Sequence, residues 1–156
     1  MGDQRRFGEA RAGLVYVVRP AAYVVVMDAQ SRVACVEGRS GIFLPGGGIE
    51  AGEDAVAAVH REVREECACE IELLGELPSA IQFFSMSDGR AFELRASFFV
   101  GRFGAATETV AEYEVQWIST KPELPALFHE CQAWAVTRAL DVDVGARMPR
   151  TPRQKF

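Results

Sequence analysis

One glycine- and acid-rich segment interrupts a chain that otherwise consists of short apolar runs. Residues 44–71 have the sequence LPGGGIEAGEDAVAAVHREVREECACEI. The three glycines, Gly46 to Gly48, predict a loop, and the stretch from about Glu53 to Glu66 predicts a helix. A helix in the middle of a strand-rich chain, with more helix near the end, predicts an α/β or α+β fold whose helices cover the faces of a sheet.

Strands are predicted on both sides of this segment, because runs rich in Val, Tyr and Phe are bounded by turn residues. A bend is predicted at Arg19-Pro20, since proline disrupts ladder pairing. The predicted strands are Leu14–Val18, Ala21–Met27, Val33–Val36, Ile42–Leu44, Ile71–Leu77, Ala80–Met86, Ala91–Val100 and Val115–Ile118, and the later predicted helices are Pro122–Phe128 and His129–Leu140. The 156 residues suit a single domain, which we place at 12–142 between a flexible arm (1–11) and a basic, disordered tail (143–156).

Charge and cysteine content narrow the classes of function. There are 17 Lys and Arg against 22 Asp and Glu, so the net charge is −5, which disfavours general nucleic-acid binding. The four cysteines include no C-x-x-C pair, and the N-terminus has no apolar signal-peptide core. The longest apolar run has seven residues, where a membrane span needs about 20. These features predict a cytoplasmic protein with reduced thiols and no membrane span.

Three carboxylates fall on one face of the predicted helix. Glu62, Glu65 and Glu66 are spaced i, i+3 and i+4, so they lie within about one turn. Apolar and small residues adjoin them on the helical wheel: Val59, Val63, Cys67, Ala55 and Ala58. Carboxylates drawn into a groove beside such residues need a cation or protons, and their oxygens suit Mg²⁺ or Mn²⁺.

Arg61 and the glycines can contribute to the same site. Arg61 lies four residues before Glu65 and eight after Glu53, so it can fix a carboxylate, although an ordinary surface ion pair is the alternative. The glycine run allows close approach of a ligand at Gly47, and it can free a carbonyl to bind a metal ion. A plain tight turn is the alternative for the glycines.

Together these parts resemble the signature of the Nudix hydrolase superfamily: Gly, five residues, Glu, seven residues, then Arg-Glu-apolar-x-Glu-Glu-x-Gly-apolar. Gly47 begins the pattern, Glu53 follows after five residues, and REVREE at 61–66 follows after seven more. The preceding FLPGG at 43–47 is similar to the family's aromatic-x-Pro-Gly-Gly. Ala68 replaces the second signature glycine, which suggests a helix end without a left-handed glycine cap.

The resemblance implies an α/β/α sandwich with a mixed sheet, in which the signature forms a loop–helix–loop. It implies Mg²⁺- or Mn²⁺-dependent hydrolysis of a nucleoside diphosphate linked to another moiety, by attack of a metal-activated water on phosphorus. By position, it implies these roles: metal ligands at Glu62, Glu66 and the Gly46 carbonyl, a ligand or water activator at Glu65, and an orienting pair at Arg61 and Glu53. The family often adds a glutamate shortly before a Trp. Glu112 and Glu114 precede Trp117 here, and we choose Glu112, with an exposed loop acid as the alternative.

Substrate contacts are less constrained by the sequence. Arg39 could contact phosphate, and Phe84, next to Phe83 on a strand, could stack on a base; an ordinary turn arginine and core packing are the alternatives. His60 and His129 have no partner spacing that suggests catalysis. A catalytically silent nucleotide-binding or sensor module is the alternative function, and the oligomeric state, a homodimer included, is left open.

Overall fold

The computed structural model describes residues 4–122, 124 and 127–147. The strands are β1 (Arg5–Phe7), β2 (Tyr16–Val26), β3 (Arg32–Gly38), β4 (Gly41–Phe43), β5 (Gly46–Gly48), β6 (Cys69–Ser85), β7 (Ala91–Ala106) and β8 (Gln116–Ser119), and the helices are α1 (Ala55–Cys67) and α2 (Glu130–Arg147). Neither of these two helices combines the length and the apolar character needed to cross a bilayer.

The strands form one mixed sheet and one smaller antiparallel sheet. The mixed sheet has the order β1-β6-β7-β2-β5, with β1 parallel to β6, β2 parallel to β7, and the other neighbours antiparallel. The smaller sheet has the order β4-β3-β8. Strand β5 therefore lies at the edge of the mixed sheet, directly beside β2.

Alternate residues of β2 reach two separate cores. Ala22 and Val24 pack with Val59 and Val63 of α1, whereas Tyr23 packs in the other core, to which residues of α2 contribute. This alternation is the two-residue repeat of a strand that is covered on both faces. The mixed sheet between two helices confirms the expected α/β/α sandwich.

Two local predictions near β5 are wrong. Strand β2 runs straight through Pro20, whose carbonyl accepts a hydrogen bond from the Ile49 amide at 2.9 Å. The nitrogen of a residue in a strand points to the same side as its carbonyl, so the Pro20 nitrogen faces the edge where β5 ends. The lack of an N–H at Pro20 therefore removes no hydrogen bond between β2 and β7 in the sheet interior. The glycines predicted as a loop instead form β5 and pair with Ala21–Tyr23.

The predictions for the two ends of the chain also change. The predicted flexible arm contains β1, which pairs with residues 80–82 of β6, and Phe7 packs on Trp134 with ring centroids 5.7 Å apart. That aromatic contact gives the arm an apolar anchor. The described residues of the predicted helix Pro122–Phe128 are not helical. Helix α2 continues to Arg147, so the predicted disordered tail is wrong at 143–147, and 148–156 lie outside the described residues.

Candidate active site

Helix α1 is fixed at both ends and along one face. The Asp54 side chain caps its first turn by accepting from the Ala57 amide at 2.8 Å. Ala58, Val59 and Val63 are fully buried against the sheet. This apolar face sets the rotation of the helix, and it turns the acidic face toward β5.

The end of α1 keeps left-handed geometry without a glycine. Ala68 adopts φ 53° and ψ 39°, and its amide donates to the Arg64 carbonyl at 3.1 Å. Its own carbonyl accepts from the Thr107 amide at 2.9 Å. The conformation that a glycine would take is thus imposed on alanine, at the expense of some backbone strain.

Glu66 is a buried carboxylate held by the glycine strand. The residue is only 7% exposed, and its Oε1 accepts from the Gly46 amide at 2.8 Å. Gly46 has φ +141°, and a Cβ there would lie 2.1 Å from the Ala22 carbonyl oxygen, so glycine is required. Burial and the neighbouring carboxylates of Glu62 and Glu112 raise the pKa of Glu66 to about 8. Gly46 contacts the acidic helix through its amide. The metal-binding role predicted for its carbonyl stays a prediction.

Glu62 occupies space that only glycine leaves free. A Cβ at Gly47 would lie 2.7 Å from both Cδ and Oε1 of Glu62. Burial raises the pKa of Glu62, and Arg61 opposes that shift. The predicted substrate contact at Gly47 therefore lies directly against a carboxylate of the helix.

Arg61 joins the helix start, the glycine strand and the acidic face. Its Nε and Nη2 donate to the two Glu53 oxygens at 2.9 and 2.8 Å, a bidentate pair that lowers the pKa of Glu53 to about 2. Its Nη2 also donates to the Gly48 carbonyl at 2.9 Å. Its Nη1 lies 3.0 Å from Glu62 Oε1 and 3.3 Å from Glu65 Oε2. These contacts bring Arg61 and Glu53 together beside the acids, and the orienting role predicted for them stays a prediction.

The loop between β7 and β8 brings a fourth acid to the helix. The amides of Glu112 and Tyr113 donate to the Glu65 and Glu66 carbonyls at 3.0 and 3.1 Å. These bonds satisfy carbonyls of the last helical turn. The Glu112 charge then contributes to the raised pKa of Glu62 and Glu66. This placement depends on a tertiary backbone contact, which no local sequence pattern could have shown.

The donor set fits a divalent cation. The carboxylates of Glu62, Glu65, Glu66 and Glu112 carry hard oxygens, and Arg61 pairs with two of them, Glu62 and Glu65. Glu66 is buried beside like charges and has no ion-pair partner among the described contacts, which favours uptake of a cation or of protons at this position. In the described ranges, no three His, Cys, Asp or Glu side chains are already arranged around a common metal position.

The two remaining substrate candidates lie on other elements than the acidic helix. Arg39 is exposed in the turn between β3 and β4, next to Ser40. Phe84 is half-buried and stacks on Phe92 with centroids 5.2 Å apart. Phe84 lines a cleft of about 250 Å³ that also includes Ser40 and Gly48. The expected outward-facing ring is therefore directed into a cleft instead of into solvent.

A family model described as NUDIX domain matches residues 17–136, which include the whole acidic cluster. The chain belongs to the NUDIX domain family. No curated protein sequence matches it.

Solved NUDIX structures share the fold at low sequence identity. A NUDIX hydrolase from Nitrosomonas europaea is 17% identical with a TM-score of 0.59, covering 90% of this chain and 98% of its own. A MutT NUDIX hydrolase from Burkholderia pseudomallei is 18% identical with a TM-score of 0.62, covering 78% and 98%. An ADP-ribose pyrophosphatase from Streptococcus suis is 16% identical with a TM-score of 0.56, covering 85% and 94%. These likenesses support the fold, and the activity of this NUDIX chain has to be argued from its own site.

Proposed function

We propose that this NUDIX protein hydrolyses a phosphoanhydride bond in a nucleoside diphosphate linked to another moiety, with Mg²⁺ or Mn²⁺ as cofactor. The observation that carries the proposal is that two carboxylates of α1, Glu62 and Glu66, meet the glycine strand β5. Glu66 contacts the Gly46 amide at 2.8 Å, and Glu62 fills the space beside Gly47. Structural relatives called hydrolase and ADP-ribose pyrophosphatase support the same class of reaction.

The chain's own residues would divide the work. Glu62, Glu65, Glu66 and Glu112, with the Gly46 carbonyl, would hold the cation. A bound divalent ion neutralises charge on phosphate oxygens and lowers the pKa of a bound water.

Arg61 and Glu53 act as positioning residues for this set. Their bidentate pair, together with the Arg61 bond to the Gly48 carbonyl, limits the motion of the guanidinium beside Glu62 and Glu65. The Glu65 side chain is 45% exposed, so its carboxylate can meet solvent and accept the proton that an attacking water releases.

The test compares acid variants of the site with an acid outside it. Wild type, Glu65→Gln, Glu66→Gln and the control Glu70→Gln are assayed with Mg²⁺ or Mn²⁺ on nucleoside triphosphates, nucleoside diphosphates, sugar nucleotides and dinucleoside polyphosphates. Glu70 pairs with Arg64 on the exposed surface. We expect release of phosphate or nucleoside monophosphate by wild type and the control, and a loss of about 100-fold or more in the two site variants, which stay folded.

Two outcomes would contradict the proposal. Full turnover in both Glu65→Gln and Glu66→Gln would remove these acids from the mechanism. Nucleotide binding by wild type without hydrolysis of any compound in the panel would favour the silent binding module instead.

The state of the cysteines bears on location. Cys35, Cys67, Cys69 and Cys131 are all unpaired. Free thiols are typical of reducing compartments, and they support a cytoplasmic location for this protein.

A further inference from the structure

Three consecutive residues at the entry to the glycine strand are each held by a different element. The Leu44 amide donates to Oε1 of Gln132 on α2 at 2.7 Å. The Pro45 carbonyl accepts from the β2 backbone at 3.0 Å, and the Gly46 amide donates to Glu66 of α1 at 2.8 Å. Three residues of backbone therefore link a side chain of one helical layer to a carboxylate of the other.

The backbone between these contacts has little freedom of its own. The proline ring fixes φ of Pro45, and its bulk restricts the conformation of Leu44 before it. The Pro45 carbonyl and the Gly46 amide belong to one planar peptide group, whose two ends point to β2 and to Glu66. A shift of Leu44 therefore turns this peptide group, and it moves the N–H from which the Glu66 carboxylate accepts.

Gln132 is fully buried, and only the oxygen of its amide has a partner. Among the described residues, no group accepts from its Nε2, which is buried as well. A buried donor without a partner destabilises a fold, and an apolar side chain of similar size would avoid that cost. Within the described part of the chain, the contact that distinguishes glutamine from such an apolar residue is the bond from the Leu44 amide.

The start of α2, which carries Gln132, is itself fixed. The amide of the buried Cys131 donates to Oε1 of Gln82 on β6 at 3.1 Å. The Gln132 amide donates to the His129 carbonyl at 3.1 Å, which closes the first turn of the helix. A side chain on a rigid helix start can hold its partner in one place, so Gln132 gives the Leu44 amide a fixed anchor.

We propose that Gln132 is a positioning residue for the acidic site: by accepting from the Leu44 amide, it holds the Gly46 amide in the orientation that fixes the Glu66 carboxylate. The proposal rests on the proposed function, because it takes Glu66 to be a ligand of the cation. In this role Gln132 itself contacts neither the cation nor the substrate. Removal of a group that orients a metal ligand in this way typically lowers metal affinity or activity by about 10- to 100-fold.

Two matched variants separate positioning from stability. Gln132→Met keeps an unbranched side chain of similar length but removes both the oxygen and the unpartnered Nε2. The Leu44 amide loses its partner while another unpartnered group disappears, so the Tm should change by less than about 3 °C. The control Thr120→Val removes a different buried bond, in which Thr120 Oγ1 donates to the Ser31 carbonyl at 2.8 Å. That bond involves neither helix and no residue of β5, and its loss should lower the Tm.

The first measurement is amide hydrogen exchange, followed by NMR without divalent ions. In Gln132→Met, the Leu44 and Gly46 amides should exchange at least about tenfold faster than in wild type, whereas Thr120→Val should leave both within about threefold. In wild type, the two amides should show equal protection, because they become exposed in one opening event. This wild-type comparison keeps the test decisive if Gln132→Met fails to fold.

The second measurement is binding of Mn²⁺ alone, followed by the EPR signal of the free ion. Gln132→Met should bind Mn²⁺ about tenfold more weakly than wild type, and Thr120→Val should bind it as wild type does. With saturating Mn²⁺ and the best compound of the panel, kcat of Gln132→Met should fall about tenfold while KM stays within about threefold. A purely structural role of Gln132 would leave this split between kcat and KM absent.

The outcomes separate this inference from the proposed function. Wild-type exchange at Gly46 or wild-type Mn²⁺ affinity in folded Gln132→Met would overturn the inference, while the proposed hydrolase would stand. An equal loss of Mn²⁺ affinity in Thr120→Val would overturn it as well, and so would a Gly46 amide that exchanges much faster than the Leu44 amide in wild type. Mn²⁺ binding that depends on Gln132, in a protein that hydrolyses no compound of the panel, would support the inference and overturn only the proposed reaction.

Discussion

Replacing Gly47 by alanine tests how tightly the glycine strand and the acidic helix are fitted. The added Cβ would lie 2.7 Å from Glu62 Oε1, where ordinary contact begins at 3.4 Å, so the carboxylate must retreat by about 0.7 Å. Gly47 has no positive φ that would itself strain an alanine. The substitution therefore moves Glu62 and leaves the backbone conformation allowed.

The expected effect is on catalysis more than on stability. Displacements near 1 Å of a reacting group lower rates by about 100-fold, so we expect kcat/KM to fall by about 10- to 100-fold. This corresponds to about 1 to 3 kcal/mol of transition-state stabilisation. The measurement is kcat/KM for release of nucleoside monophosphate with Mg²⁺, on the best compound of the panel, alongside the Tm of each variant.

The control is Gly75→Ala on β6. A Cβ there meets nothing within 4 Å, so this variant carries the general effect of a Gly-to-Ala change in a strand. Wild-type kcat/KM in Gly47→Ala, or an equal loss in Gly75→Ala, would refute the proposed steric link to Glu62. Gly46→Ala should instead fail to fold, because its Cβ would lie 2.1 Å from a backbone oxygen.

Four further changes probe separate contacts. Arg61→Lys removes the bidentate pair with Glu53 and should lower kcat/KM about tenfold in a folded protein, as measured by steady-state kinetics. Ala68→Gly relieves the left-handed strain at φ 53° and should raise stability by about 1 kcal/mol, which thermal unfolding would show as a Tm higher by roughly 2–4 °C. Without divalent ions and above the Glu66 pKa of about 8, where this carboxylate is ionised in the folded protein, Glu66→Gln should raise the Tm, because a buried charge is removed while an amide oxygen can still accept from the glycine strand; a lower Tm at that pH would count against the uncompensated charge. His129 has a folded pKa of about 4 against an ordinary 6.5, so the folded state binds fewer protons in that window and stability falls as the pH drops through it, by up to about 3 kcal/mol. Urea unfolding at pH 7 and pH 4.5 should show a smaller pH difference in His129→Phe than in wild type.

The acidic helix could be predicted because its pattern is local. The spacing of Glu62, Glu65 and Glu66 fixes a common face whenever the segment is helical, and the apolar residues Val59 and Val63 identify the buried side. The structure keeps both relations. The local pattern therefore predicts which face of the helix carries the acids. It does not predict which residues from other parts of the chain contact them.

The features that could not be predicted depend on distant parts of the chain. Gly46 to Gly48 become a strand only because β2 offers them a free edge. Pro20 is tolerated because its nitrogen faces the edge of β2 at which the pairing with β5 ends. Glu112 reaches the cluster through its amide bond to the Glu65 carbonyl, and His129 meets Phe84 across more than forty residues of sequence. Each of these outcomes is set by tertiary pairing, which overrides local propensity.

The fold holds the carboxylates together against their mutual repulsion. Turning α1 so that Glu62 and Glu66 reached open water would expose Val59 and Val63, which are fully buried. Burial of each such side chain stabilises by about 1.5–3 kcal/mol, so rotation would lose roughly 3–6 kcal/mol. Burial of this apolar face therefore opposes the return of Glu66 to water, which desolvation and the like charges of Glu62 and Glu112 favour. A cation that enters the site would thus meet Glu62 and Glu66 already held beside β5, and only the remaining acids would have to be ordered on binding.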